Sequence, residues 1–366
     1  MMALVTIAVG AAFASLSSAV PPATAPPAPA DPVAALSLRQ LAGQRIVVGY
    51  PRGDVPASLR AQVRAGTVGG VIVFDRNIPS RAHLRGQLRR LQRTSRPLDA
   101  PLLTMVDQEG GQVKRLSGAP RTSPARMGRW SADAVRAEGA ATARNLRRVA
   151  LDVNLAPVAD VGLPGSYQHA TQRAFSGRPG RAASRSSAFA VGLQSAGVAA
   201  TLKHFPGLGR IAHDEDRTVQ TVHAGVHTLR TVDEVPFAAG IHAGVGMVMT
   251  STARYPALDS APALLSRTVT TGELRERLGF QGVAITDDLD VPALRGYGGA
   301  GRLAVRATAA GNDLLLFCQT PAHARQAVDA IVRAVRQGRL SRRTLEASVR
   351  RIRGLRVAIG NAQRSP

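Results

Sequence analysis

Leu202-Lys203-His204-Phe205-Pro206-Gly207 and, some eighty residues later, Ile285-Thr286-Asp287-Asp288-Leu289 decide how this chain is read. Each closes an apolar run with the pattern of a buried strand, and each breaks off in charged groups. An unpaired Lys203, His204, Asp287 or Asp288 inside a sheet or barrel would cost several kcal/mol. Charges crowded at strand ends therefore point to a site rather than a core. Lysine occurs only twice among the forty-seven basic residues, at Lys114 and Lys203. In so arginine-rich a chain, Lys203 reads as a choice of compact ammonium over planar fork.

Outward from these two stretches, the same pattern recurs. Apolar runs at 46–49, 70–74, 102–107, 154–158, 200–204, 247–250, 283–287 and 314–317 alternate with helical patterns. The helical segments include 80–94, with Leu84, Leu88 and Leu91 on one face, and 131–150, opened by Ser131 as N-cap. A third is 321–336, with Ala324, Val328, Ile331, Val332 and Val335 facing inward. Continuous apolar strands separated by helices imply a parallel sheet covered on both faces. Eight such units predict a single-domain (β/α)8 TIM-type barrel over residues 36–360. A doubly wound open sheet is the runner-up, but no Gly-rich phosphate fingerprint follows the first strand. In a barrel the active site lies at the strand C-termini, where Asp107, Lys203, His204 and Asp287 all fall.

Composition narrows the function. The formal net charge of +23 would attract polyanions such as phosphate-bearing cell-wall polymers, anionic membranes or nucleic acid. The arginines are scattered along helices and aromatics make up only 4% of the chain, so no base-stacking surface forms and nucleic-acid binding is not expected. The scatter reads as a compositional habit. Residues 1–20 read as a signal peptide, with Ser17-Ser18-Ala19 resembling a cleavage site, although no basic residue precedes the apolar run. A Pro/Ala-rich linker at 21–35 follows. Export to the medium or cell envelope is the expectation, with no stable membrane insertion after processing and a monomeric product. The lone Cys318 forms no internal disulfide and reads as a buried thiol. No metal-ligand motif is present and no cofactor is implied.

With these residues in place, the chain resembles glycoside hydrolase family 3, in particular its single-domain β-N-acetylglucosaminidases, over about residues 36–358. Val106-Asp107-Gln108-Glu109-Gly110-Gly111 with Arg115, Asn154-Leu155-Ala156-Pro157-Val158, Arg173-Ala174-Phe175, Lys203-His204-Phe205-Pro206-Gly207 and Thr286-Asp287-Asp288-Leu289 carry the likeness. The resemblance implies a retaining β-glycosidase acting on β-linked N-acetylglucosamine or a related sugar, with carbohydrate, peptidoglycan fragments included, as its partner. Asp287 would be the nucleophile that forms a covalent glycosyl-enzyme. Asp107, Arg115, Arg173, Lys203 and His204 would bind the sugar, with Lys203 and Arg173 helping to keep Asp287 ionised. Glu109 and Asp160 read either as sugar ligands or as partners that position them. Asp288 is expected to turn away and pair structurally.

The pattern departs from the family in one loop. Where the resemblance expects a histidine after Pro-Gly and an Asp-Ser-His triplet, this chain has Leu208 and Asp214-Glu215-Asp216. Asp214 is retained and Asp216 stands in the place of the family's general acid/base histidine. Gln112 also replaces an expected arginine. Three readings stay open: a carboxylic acid from Asp216, Glu215 or Asp214 protonates the leaving oxygen, His213 does so, or the site binds sugar without efficient hydrolysis. The chain runs out soon after the eighth helix, so no C-terminal second domain is expected.

Overall fold

The protein is described from a computed structural model over residues 31–98, 100–319 and 321–364. The expected signal peptide and most of the linker, residues 1–30, lie outside the described residues. Val33 and Leu36 are already buried in the core of the compact unit that starts at Pro32. Among the described residues no helix is long and apolar enough to cross a membrane.

Eight strands close into a parallel barrel: β1 (Ile46–Val48), β2 (Gly70–Val73), β3 (Leu103–Val106), β4 (Val153–Asn154), β5 (Ala199–Phe205), β6 (Met247–Thr250), β7 (Val283–Asp288) and β8 (Leu314–Phe317). Each pairs in parallel with its sequence neighbours, and β8 closes on β1 through Ile46 opposite Leu315. The predicted (β/α)8 barrel is the observed fold. Strand side chains alternate between two cores. Val47, Ile72, Met105, Val153, Met247, Ile285 and Leu314 fill the barrel interior, where Ile352, Leu355 and Ile359 of the helix Arg342–Arg364 join them. Val48, Val71, Leu202, Val248, Ala284 and Leu315 belong to the outer core beneath the helices. The last helix thus plugs the N-terminal end of the barrel and leaves the C-terminal end open.

Most elements fall where the sequence places them. The helix expected at 321–336 spans Pro321–Arg336, with Val335 half-buried where its companions are buried. The helices Arg81–Gln92 and Ala132–Arg147 start behind Ser80 and Ser131, whose hydroxyls accept from the His83 and Ala134 amides at 3.1 and 3.2 Å. The fourth strand is the exception, ending at Asn154 rather than 158. Pro157 has no amide proton to offer a ladder, and the Asn154 side chain pairs with both backbone groups of Gln108 at 3.0 Å. Backbone bonds to β5 still continue past Asn154, from the Thr201 amide to Ala156 O at 2.9 Å and from the Ala159 amide to Lys203 O at 2.7 Å.

The helices Ala132–Arg147 and Pro179–Ser195 approach closely because each presents a glycine at the crossing. A Cβ at Gly192 would stand 2.0 Å from Arg136 O, and one at Gly139 would stand 2.4 Å from Phe189 O. Gly192→Ala should therefore cost about 1–3 kcal/mol of stability by overpacking against backbone. Gly354→Ala, on an exposed face of the last helix with nothing within 4 Å, should gain up to about 1 kcal/mol. Urea denaturation of the two variants checks both signs.

Candidate active site

The open end of the barrel holds a cavity of about 330 Å³ whose floor is the uppermost interior layer, Ile72, Leu155, Met249 and Leu316. Its walls carry Asp107, Glu109, Arg115, Arg173, Lys203, His204, Asp214, Glu215, Asp216, Asp287 and Asp288. Asp107, Arg115, Arg173, Lys203, His204, Asp214, Asp216 and Asp287, singled out from sequence, therefore reach one cavity, whereas Asp160 and His213 do not line it.

Asp107 follows the last residue of β3, and the chain then folds into a short hairpin pairing Gln108–Gly110 with Val113–Lys114. The Gln108 side chain anchors this turn, accepting from the Arg115 and Leu116 amides and donating to Leu116 O and Ala119 O. Gly110 has φ +101°, and a Cβ there would sit 2.3 Å from Thr122 O, so only glycine fits. The hairpin thereby turns Glu109 inward, where its side chain is fully buried.

Glu109 is shared by two cations. Lys203 Nζ stands 2.7 Å from its Oε1 and donates to Asp107 Oδ1 at 2.8 Å. Arg173 grips the same carboxylate bidentately, with Nε and Nη2 both at 2.9 Å. Burial alone would push the Glu109 carboxyl up, but Arg173 and Lys203 outweigh it and hold the group well below the usual carboxylate range. Burial likewise opposes charge on Lys203, and Asp107 with Glu109 raises it instead. The direct ion partners of Lys203 and Arg173 are thus Asp107 and Glu109.

A second buried carboxylate orders the far side. Asp160 Oδ1 accepts from the amides of His204 and Leu208 at 3.0 and 2.8 Å, and Oδ2 meets His204 Nδ1 at 2.8 Å. An ionised Asp160 places the ring proton on Nδ1 and leaves Nε2 toward the cavity. Leu208, in the place where the resemblance expects histidine, is fully buried.

The three acidic residues of the loop separate by orientation. Asp214 is half-buried, and its Oδ1 accepts from the Asp216 amide at 3.2 Å. Asp216 is exposed at the cavity mouth. Glu215 turns inward, 6% exposed, with Oε1 3.9 Å from His204 Nε2 and Oε2 buried without a hydrogen-bond partner among the described residues. Burial, then the charges of Asp287, Asp216 and Asp160, push the Glu215 carboxyl well up. Although the residue as a whole is exposed, partial burial of its carboxyl at the mouth, with Asp287, Asp214 and Asp288, pushes Asp216 up to about 8. Solvent screens such charges more at exposed Asp216 than at buried Glu215. His213 is exposed and does not line the cavity.

At the end of β7, Asp287 is half-buried and its Oδ1 accepts from the Asp288 amide at 2.8 Å. Asp288 pairs with backbone as expected, accepting from Asp290 and Cys318 at 2.9 and 3.0 Å, yet it still borders the cavity. Burial, tempered by those amides, lifts it to about 7. Arg115 lines the cavity too, but its Nη1 is 3.3 Å from Asp75 Oδ2. The sequence reading passed over Phe74, Arg76 and Tyr167, which also border the cavity. Phe74-Asp75-Arg76 ends β2 in charges, the same signal that picked out Lys203 and Asp287.

No metal motif was visible in the sequence, but folding brings His204, Glu215 and Asp287 together, each with one oxygen or nitrogen within 4.8 Å of the others. Among the described residues this is the one His/acid group close enough to chelate an ion. The Arg173 charge beside it opposes a cation, and a carboxyl pushed up by burial keeps its proton, so the arrangement suits proton transfer.

Comparison with known proteins identifies the barrel that carries this cavity. The glycosyl hydrolase family 3 N-terminal domain matches residues 38–355. An uncharacterised secreted glycosyl hydrolase of Arthroderma benhamiae is 37% identical over 335 residues, 89% of this chain and 95% of that protein. A β-hexosaminidase of Xylella fastidiosa strain M23 is 36% identical over 261 residues, 69% of this chain and 76% of its own length. Among solved structures, the family 3 β-N-acetylglucosaminidase from Paenibacillus sp. FPU-7 superposes with a TM-score of 0.85 at 32% identity, covering 91% of this chain. The chain spans 64% of that larger protein. The β-N-acetylhexosaminidase of Beutenbergia cavernae gives 0.81 at 30% identity, covering 88% of this chain and 99% of that one. A match that runs nearly the length of the barrel places the chain in glycosyl hydrolase family 3.

Proposed function

We propose that this chain, a hexosaminidase-like glycosidase, removes β-linked N-acetylglucosamine or a related β-sugar from cell-wall-type glycans, peptidoglycan fragments included, with retention of configuration. The observation that carries the reading is the Asp287 carboxylate at a barrel-strand C-terminus, facing a small polar cavity already furnished with ordered cations. Asp287 attacks the anomeric carbon, the aglycone leaves, and water then cleaves the glycosyl ester.

The hydrogen-bond valences left over in the network suit sugar hydroxyls. Lys203 spends two of three N–H donors on Asp107 and Glu109 and retains one. Arg173 uses two of its five on Glu109. Asp107 keeps the oxygen that Lys203 does not occupy, and His204 keeps Nε2. A ring held by several such groups is oriented for attack before reaction begins. The expected export signal and the similarity to a secreted glycosyl hydrolase of Arthroderma benhamiae support an extracellular glycan as substrate. A second reading, a sugar-binding homologue of weakened activity, rests on Leu208 and the Asp214–Asp216 loop where the resemblance expects histidines.

Release of nitrophenol from 4-nitrophenyl N-acetyl-β-glucosaminide and β-glucoside by the purified chain tests the choice. Turnover is expected, with the N-acetyl sugar preferred; saturable binding without turnover would favour the second reading. Asp287→Asn should keep the melting temperature and lower kcat/KM by roughly three orders of magnitude, since an amide forms no glycosyl ester. A 2-fluoro sugar with an activated leaving group should label Asp287, read by peptide mass mapping. Glu109→Gln should behave differently, destabilising the fold by about 3–5 kcal/mol because Lys203 and Arg173 lose their common buried counter-ion. Thermal unfolding of the two variants side by side separates chemistry from scaffold.

A further inference from the structure

We propose that Glu215 is the general acid and base of this site, its carboxyl O–H protonating the glycosidic oxygen while Asp287 attacks the anomeric carbon. The inference rests on the retaining reading above and supplies the proton donor that the family's loop histidine would have provided. In the first step the Asp287 oxygen bonds to the anomeric carbon, the bond to the leaving oxygen breaks, and the Glu215 proton passes to that oxygen. In the second, Glu215 as carboxylate takes a proton from water, the water oxygen bonds to the same carbon, and the Asp287 ester bond breaks. Glu215 returns to its protonated form.

Three observations single it out among the loop carboxylates. The loop is pinned on both sides of Glu215. Upstream, the Leu208 amide binds Asp160; downstream, the Asp216 amide binds Asp214 and Asp216 O accepts from the Ala293 amide at 3.2 Å. Of the three loop carboxylates only Glu215 is buried, and its Oε2 finds no hydrogen-bond partner among the described residues. A partnerless buried carboxylate is costly when charged, so the group keeps its proton and has an unsatisfied O–H to give. Separation is the third point. A Glu215 carboxyl oxygen lies within 4.8 Å of one from Asp287, close enough for the ~5–5.5 Å spacing of retaining pairs and short of the ~6.5–9.5 Å that inverting enzymes need for an intervening water.

The surroundings favour a proton that leaves and returns. Asp287 from β7, Asp160 from the stretch after β4 and the adjacent Asp216 all repel a charge on Glu215, while Arg173 attracts one. His204 Nε2 is 3.9 Å away, the adjacent Asp214 lines the same cavity, and Tyr167 and Tyr255 also lie within reach of the Glu215 charge. Asp216 lines the same cavity but is exposed, and its backbone rather than its carboxyl is what the loop fastens.

The test compares wild type, Glu215→Gln, Glu215→Ala and Asp216→Asn on N-acetyl-β-glucosaminides with leaving groups from 2,4-dinitrophenol to a second N-acetylglucosamine. Wild-type turnover and 2-fluoro labelling of Asp287 are scored first; their absence would end the retaining reading itself, and this proposal with it. Given both, Glu215→Gln should lose about 10²–10⁴-fold on the disaccharide and far less on the dinitrophenyl sugar, which departs without protonation. Azide should restore turnover of the dinitrophenyl sugar by Glu215→Ala and yield the β-glycosyl azide. In wild type, kcat/KM should fall as pH rises through the elevated Glu215 pKa, and this alkaline limb should vanish in Glu215→Gln. A uniform loss across leaving groups without azide rescue would overturn the proposal, because it would mark Glu215 as structural. The same leaving-group signature in Asp216→Asn, with Glu215→Gln unaffected, would overturn it in favour of Asp216. Should Glu215→Gln fail to fold, the azide response of Glu215→Ala and the wild-type pH limb decide.

Discussion

The buried carboxylate of Glu109 holds the open end of this barrel together. It joins three distant segments: the hairpin after β3 that carries it, β5 through Lys203, and the turn after the short helix Tyr167–Ala170 through Arg173. The Arg173 and Ala174 amides both donate to Gln168 O, so that turn is itself fixed before Arg173 reaches across. With Asp107 added, two carboxylates face two cations, and the group is neutral as a whole. Such a cluster contributes little net stability over an apolar replacement, because desolvation offsets most of the attraction. What it supplies is position: each cation is oriented by its carboxylate partners and still has donors to spare.

The two ends of the barrel handle buried charge in opposite ways. At the closed end, Asp313 just before β8 is saturated, with Arg275 at 2.6 Å, Arg351 at 2.8 Å and the Ala284 amide at 3.0 Å. Arg45 just before β1 spends its guanidinium on Asp313 O, Asn312 O and the Thr308 hydroxyl. The plugging helix covers both. At the open end the groups are half-satisfied by design of the loops, as Glu215 Oε2 and the spare donors of Lys203 and Arg173 illustrate. A closed network rigidifies, whereas an open one retains groups for a ligand.

The chain's overall charge of +23 contrasts with its cavity, where seven carboxylates meet four cations along the lining. Surface arginines are screened by salt within about 10 Å and do little to this interior. Burial first, and the local excess of acid after it, lift Asp288 to about 7 and Glu215 well above the usual range. A site of this kind stores protons near neutrality, as hydrolysis of a neutral sugar requires.

Local sequence accounts for the scaffold and for which residues face the cavity. Strand runs, the Ser80 and Ser131 caps and the helix Pro321–Arg336 depend on periodicity and capping, which act over a few residues. Charges that end apolar strands, at Asp107, Lys203, His204 and Asp287, announce the site for the same reason: a barrel interior will not take them. Tertiary structure alone decided how those charges are partnered and which loop acid turns inward. Glu109 becomes a counter-ion and Asp160 the anchor of His204 only because the ends of β3, β4 and β5 and the turn carrying Arg173 converge, a meeting of residues 64 and 44 positions apart in the chain. Asp214, Glu215 and Asp216 are chemically near-equivalent neighbours in an aperiodic loop, so nothing local ranks them. Their ranking comes from anchors elsewhere, Asp160 on the Leu208 amide and the Ala293 amide on Asp216 O, which rotate Glu215 into the cavity and leave Asp216 in water.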